Sequence, residues 1–188
     1  MRLTKKWVAQ FIHHTRAYEG IHIPEEKILD YLHGKDNQPH PYIRNTVNAI
    51  SYVKRKKTNP DTMSICELHG ILMGNIDRFA GMFRPFSVMA PTHEPPGPQT
   101  VHSYVDRWCQ LWGKRPYKSW SQKKAGQYRN YEFMMIYPFS NGVHITAAIL
   151  HLWDALYHNT TLDLPDHTYK MSIKTYVNET RKTLPEWS

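Results

Sequence analysis

Residues 137–148 read Tyr-Pro-Phe-Ser-Asn-Gly-Val-His-Ile-Thr-Ala-Ala, a loop that turns into a helix with several polar groups at the junction. Tyr137 can donate a hydrogen bond, but a phenol with an ordinary pKa of about 10 is a poor proton acceptor at neutral pH. Asn141 offers a neutral carbonyl, a weaker partner than a carboxylate for a divalent cation carrying triphosphate. Gly142 allows backbone N–H groups to approach an anion at a helix start. Val143 and His144 follow it, and their side chains crowd part of that cradle. His144 itself supplies an imidazole able to transfer a proton.

Other chemically able residues carry weaker signals. His144, His151 and His158 recur every seventh position, close to one stripe of a helix. Ligands that share a metal on a helix stand three or four residues apart, and two turns separate neighbours by about 10.5 Å. The stripe therefore reads as incidental, and no metal site is expected. His13-His14 has no partner visible in sequence, and Ser87, Ser140 and Cys109 lack the context of a nucleophile elbow. Lys114-Arg115 and Lys123-Lys124 lie near Trp112, Tyr117 and Trp120, residue types that bind single-stranded nucleic acid. Nothing there resembles a nucleic-acid module, so a solvated surface is the expectation.

The elements that must position these groups read as helices. Trp7, Val8, Phe11, Ile12 and Thr15 line one face of a first helix that Gly20 would close. A second helix opens at Pro24, with Glu25 and Glu26 in its first turn, and stops at Gly34. Residues 41–57 place Ile43, Val47, Ile50 and Val53 on one side and end in Lys54-Arg55-Lys56-Lys57, cations that offset a helix dipole. Ser64 with Glu67 suggests a capping box for a helix to about residue 74. Over 79–98, Phe83, Phe86 and Val88 precede Pro91, Pro95, Pro96 and Pro98, the pattern of a short hairpin followed by a rigid approach. Further helices are expected near 99–113, 121–136, 142–158 and 166–182.

Composition bounds the function classes. A chain of 188 residues that is 40% hydrophobic can build one packed domain rather than two. The net charge of +8 bears on solubility and steering toward anions, not on fold. Two cysteines, Cys66 and Cys109, make neither a disulfide framework nor a zinc site. The N-terminal run is broken by charge and no stretch is apolar for long enough to cross a bilayer, so no membrane role and a cytoplasmic location are expected.

The run at 137–148 resembles the signature of the Fic (Fido) family, His-Pro-Phe-x-Asp/Glu-Gly-Asn-Gly-Arg-x-x-Arg, whose members typically transfer AMP from ATP to protein hydroxyls. Pro138-Phe139 and Gly142 match. The catalytic histidine position holds Tyr137, the metal-binding acid is Asn141, and the phosphate-holding arginines are Ile145 and Ala148. Ala80-Gly81-Met82-Phe83-Arg84 resembles the Gly-x-Phe/Tyr-Arg element that leads into the family's flap, and Leu68-His69 fits the helix before it. Thr15-Arg16-Ala17-Tyr18-Glu19-Gly20 is similar to Ser/Thr-x-x-x-Glu-Gly/Asn, the inhibitory helix whose glutamate pairs with the second arginine of the active-site motif. The motifs run in family order over roughly residues 5 to 160.

The resemblance implies an all-α, compact Fic-type helical domain with a small β-hairpin flap, one domain over 1–188. Its parts would be an inhibitory-type helix at 1–20, a flap region at 79–98, and the degenerate loop and helix at 137–158. It also implies lost chemistry. A missing general base costs about 10²- to 10⁴-fold, and a missing arginine clamp about 10³-fold or more. ATP and Mg²⁺ are therefore not expected as cofactors. Glu19 survives while Ala148 cannot pair with it. A carboxylate facing an apolar pocket without a cation could act as acid or base; the plainer alternative is a capped helix end bound to backbone or Arg16. The favoured expectation is a repurposed enzyme acting on a small organic molecule. Glu19, Tyr137 and His144 would move protons, while Arg84, Phe139, Asn141 and Gly142 would hold substrate. The alternatives are a silent binding or regulatory domain whose flap recruits a protein segment by strand addition, or a weak nucleotidyltransferase.

Overall fold

A computed structural model describes residues 3–90, 93–114 and 120–162. Seven helices follow one another: α1 Lys5–Ala17, α2 Glu25–Leu32, α3 Pro41–Arg55, α4 Thr62–Met73, α5 Val101–Leu111, α6 Gln122–Ile136 and α7 Val143–Tyr157. The helix expected at 166–182 lies outside the described residues. The flap differs from expectation. Residues 79–90 and 93–98 form turns and extended chain with one isolated bridge, Ala90 to His93, and no strand occurs among the described residues.

Local chemistry sets most helix ends. Thr4 caps α1 by accepting the Trp7 N–H. At its other end Gly20, with φ of +73°, lets the Gly20 and Ile21 N–H groups return to the Ala17 and Arg16 carbonyls. Helix α3 carries Pro41 in its first turn and Lys54 and Arg55 in its last. Helix α4 begins earlier than its sequence suggests: Asp61 is the cap, and its box is closed by Ser64 rather than opened by it. Glu67, freed from capping, accepts a hydrogen bond from the Tyr52 hydroxyl at 2.6 Å.

Helix α7 is the axis of the molecule. Ile145 through Ala155 are all buried, so the helix is apolar nearly all round and must be enclosed. It packs against α1, α3, α4 and α6, while α5 packs on α4 and α6. Burying so many Ile, Leu, Trp and Ala side chains supplies the main favourable term, at about 25 cal/mol per Å² removed from water.

One polar interaction crosses that core. Arg129 on α6 donates to Asp154 on α7 at 2.6 Å, and both are almost wholly buried. Arg129 also reaches the Lys114 carbonyl, while its own carbonyl accepts the Trp108 indole N–H. Burial pushes the Asp154 carboxyl up, with Arg129 pulling it back. Gly126 permits the close approach, because a Cβ there would run into the Asp154 carboxylate.

Candidate functional site

The site is built where α6 ends and α7 begins. Tyr137 closes α6 in the left-handed region, at φ of +50°. That conformation is strained for a side-chain-bearing residue, by about 1–3 kcal/mol, and needs support from its surroundings. Arg84 supplies it. Its Nε donates to the Tyr137 carbonyl at 2.7 Å, Nη1 donates to the Phe86 carbonyl at 3.0 Å, and Nη2 to the Pro96 carbonyl. The Arg84 N–H also donates to the Pro138 carbonyl at 3.0 Å. Arg84 is fully buried, so its guanidinium staples the 79–98 segment to the loop instead of presenting donors to a substrate.

His69, absent from the residues singled out as chemical, organises the other side of the loop. Its Nδ1 accepts the Gly81 N–H at 3.0 Å and its Nε2 lies 3.1 Å from the Asn141 carbonyl. An N–H donor on one nitrogen and a carbonyl on the other fix the neutral Nε2–H tautomer. The ring is completely buried and burial pushes its pKa down to about 4. Phe139 lies flat on it, with ring centres 3.7 Å apart and planes 3° off parallel. Phe139 also meets Phe83 and Phe133, and is fully buried. It anchors the loop in the core, and the substrate-holding role expected of it has no exposed surface to use.

Asn141 and Gly142 complete the turn. The Asn141 side-chain oxygen accepts the Gly142 N–H at 2.8 Å, so the amide folds onto its own loop. Gly142 adopts φ of +66°, and a Cβ there would sit 2.6 Å from the Met73 sulfur. The glycine is thus needed for close packing against α4, and Met73 fills the space beside it.

Gly142 as N-cap of α7 offers no side chain to the first helical N–H groups. Glu19 does. Its Oε1 accepts the Ile145 N–H at 3.1 Å, and its Oε2 receives Arg16 Nη1 at 2.8 Å. Arg16 is buried, donates also to the Thr46 hydroxyl, and lies 4.5 Å from the centre of the Tyr42 ring. Of the two readings of Glu19, the carboxylate without a cation is overturned and the one bound to backbone and Arg16 is what the structure shows: Arg16, three residues away, stands in for the motif arginine. Carboxylate and helix N-terminus are electrostatic complements, and this anion seat is occupied by the chain itself.

Tyr137 and His144 stand close enough to Glu19 to feel its charge. Burial raises the Tyr137 pKa and Glu19 raises it further, with Arg84 opposing. Burial lowers that of His144, with Glu19 opposing. Glu19 thus acts through its charge on both Tyr137 and His144. Ile145 and Ala148 are buried core residues of α7. Among the described residues no group of three metal-ligating side chains is found, and no helix is long and apolar enough to cross a membrane.

The chain superposes on solved Fic-domain structures. A Fic domain containing signaling protein from Bacteroides thetaiotaomicron superposes with a TM-score of 0.70 at 15% identity, over 94% of this chain and 70% of that one. A Fic family protein from Desulfovibrio desulfuricans gives 0.66 at 18% identity, over 82% and 48%. Fic-1 from C. elegans, residues 134–508, gives 0.67 at 16%, over 84% and 52%. The chain has the Fic fold, and it spans about half the length of the Desulfovibrio and C. elegans proteins it matches. No protein-family model and no curated protein sequence matches it.

Proposed function

We propose that this chain is a Fic-fold binding or regulatory domain that does not transfer AMP from ATP and uses neither ATP nor Mg²⁺ as cofactor. The observation that carries the reading is the Glu19 carboxylate, held on the Ile145 N–H by Arg16. A nucleotide phosphate seated on this helix end would have to displace an anion that is already hydrogen-bonded and paired. The apolar Ile145 and Ala148 give no cation in compensation. Tyr137, with its pKa raised by burial, is further from a useful general base than an ordinary phenol. Exposed Phe86 and Met89 on the extended chain support a protein segment as partner, laid along residues 85–90 by strand addition.

Titration calorimetry with Mg·ATP, followed by incubation with ATP labelled on the α-phosphate, tests this reading. No saturable heat and no label on protein are expected. Saturable binding that places label on protein overturns it.

A second reading has its own support, since Tyr137 and His144 both lie within reach of the Glu19 charge. Such a trio could pass protons to and from a small organic molecule, the repurposed-enzyme reading. A ligand that perturbs the His144 ring and loses affinity in His144→Phe would favour this chemistry over silence.

A further inference from the structure

We propose that the cleft between the α1–α2 turn, α2 and the start of α3 binds a small ligand carrying one phosphate or carboxylate group on a compact body. The cleft has a volume of about 380 Å³, with buried Ile23 and Ile43 beneath it and exposed Pro24 at its edge. That size falls in the range of sites for small organic ligands, roughly 300–1,000 Å³.

Its polar rim carries both signs. Asp30 lies 3.5 Å from Lys35 Nζ, and Asp36 keeps its charge while one oxygen accepts the Gln38 N–H at 2.9 Å, so the ligand's anionic group must lie on the Lys27 and His40 side of the cleft. The Lys27 ammonium, also on the rim, has no hydrogen bond or ion pair among the described residues. The Nδ1 of His40 accepts the Tyr42 N–H at 3.3 Å, which puts the ring proton on Nε2 as a further donor. His22 adds a second imidazole. An ammonium, two imidazoles and an apolar floor match an anionic head on an apolar body, and charge-assisted hydrogen bonds would be the strong contacts.

The cleft is also joined to the α7 helix end. His40 stacks on Tyr42, ring centres 5.1 Å apart and 12° off parallel. The Arg16 guanidinium, which holds Glu19 on Ile145, also lies over the Tyr42 ring. A ligand that draws on His40 therefore acts on a contiguous chain of contacts ending at the Ile145 amide. This inference does not depend on whether the chain transfers AMP.

NMR titration of the full chain with phenyl phosphate and with benzoate, and with phenol as the neutral control, tests the site at low salt, where screening is weak. Saturable shifts of the Ile23 and Ile43 methyl groups and of the His22 and His40 rings are expected with the two anions and not with phenol. Lys27→Gln should weaken binding by about tenfold or more, the loss of one hydrogen bond to a charged group. Lys27→Arg, which keeps the charge, should bind within about threefold of the parent. The site is overturned if shifts never saturate, if they track instead along Lys54 to Lys57, or if Lys27→Gln binds unchanged. The link to α7 predicts that the Ile145 amide shifts with the same midpoint. A still Ile145 amide beside a saturated cleft overturns the link.

Discussion

The Ile145 amide and the Glu19 carboxylate, 126 positions apart, meet at 3.1 Å and join the end of α1 to the start of α7. The contact caps a helix that has no cap of its own and neutralises a buried arginine. Glu19→Ala should leave Arg16 buried and unpaired, with a loss of about 3–5 kcal/mol. Glu19→Gln keeps an acceptor for the Ile145 N–H and should lose less. Urea midpoints for the two variants check the order. Equal, small losses would mean that the carboxylate charge contributes nothing to the fold.

His69 makes the loop sensitive to acid. Its folded-state pKa of about 4 lies below the ordinary imidazole value of 6.5. On acidification the unfolded chain therefore binds the proton first. Stability from neutral His69 is full above about pH 6.5 and is lost as pH falls toward 4, by roughly 3 kcal/mol in all. His69→Phe should keep the stack on Phe139, leave the Gly81 N–H and Asn141 carbonyl without partners, and cost about 2–4 kcal/mol near neutrality. It should also flatten the slope of stability against pH between 6.5 and 4. Chemical unfolding of both proteins at several pH values measures the difference. An unchanged slope would show that His69 does not titrate with folding.

The contrast between these two residues explains what the sequence discloses. Periodicity exposes α1 and α3, because one-sided burial at a 3.6-residue period needs no tertiary knowledge. The loop at 137–142 is legible through Pro138-Phe139 and Gly142, whose roles are backbone and packing roles. The pairings are legible only in part. The Arg16–Glu19 pair, three residues apart, is one of the two readings the sequence leaves open, yet only the position of α7 reveals that the same carboxylate caps Ile145. His69 has no spacing that announces it, since its partners Gly81 and Asn141 come from two different loops. The available signal was Leu68-His69 preceding the flap motif. Asp61 rather than Ser64 caps α4 because both are competent cap residues, and local sequence does not choose between them.

Arg84 should behave as a staple. Its guanidinium and amide N–H reach four carbonyls, from Tyr137, Phe86, Pro96 and Pro138. Arg84→Lys cannot match that forked geometry, and a buried ammonium would be left with fewer partners. We expect a loss of about 2–4 kcal/mol. Cleavage within residues 85–98 by a protease of broad specificity should accelerate more than cleavage elsewhere, because the staple, beside the His93 contact with the Met135 carbonyl, ties that segment down. Uniform cleavage along the chain would instead mark Arg84 as a general stability residue.

The Arg129–Asp154 pair allows a sharper test through non-additivity. Asp154→Asn removes the charge that partners a guanidinium which is 2% exposed, and should cost about 3–5 kcal/mol. Arg129→Met alone strands the carboxylate, with a similar loss. The double variant leaves no buried charge, and an apolar chain at 129 fills much of the same volume, so it should lose clearly less than the sum of the two. Denaturation midpoints of the four proteins give the coupling energy directly. His158, whose Nε2 lies 3.6 Å from Asp154, adds a control. Replacing it with Gln should change stability little, because the carboxylate already holds its arginine at 2.6 Å. Simple additivity across the cycle would mean that the two charges do not stabilise each other and that α6 and α7 are held together by their apolar faces alone.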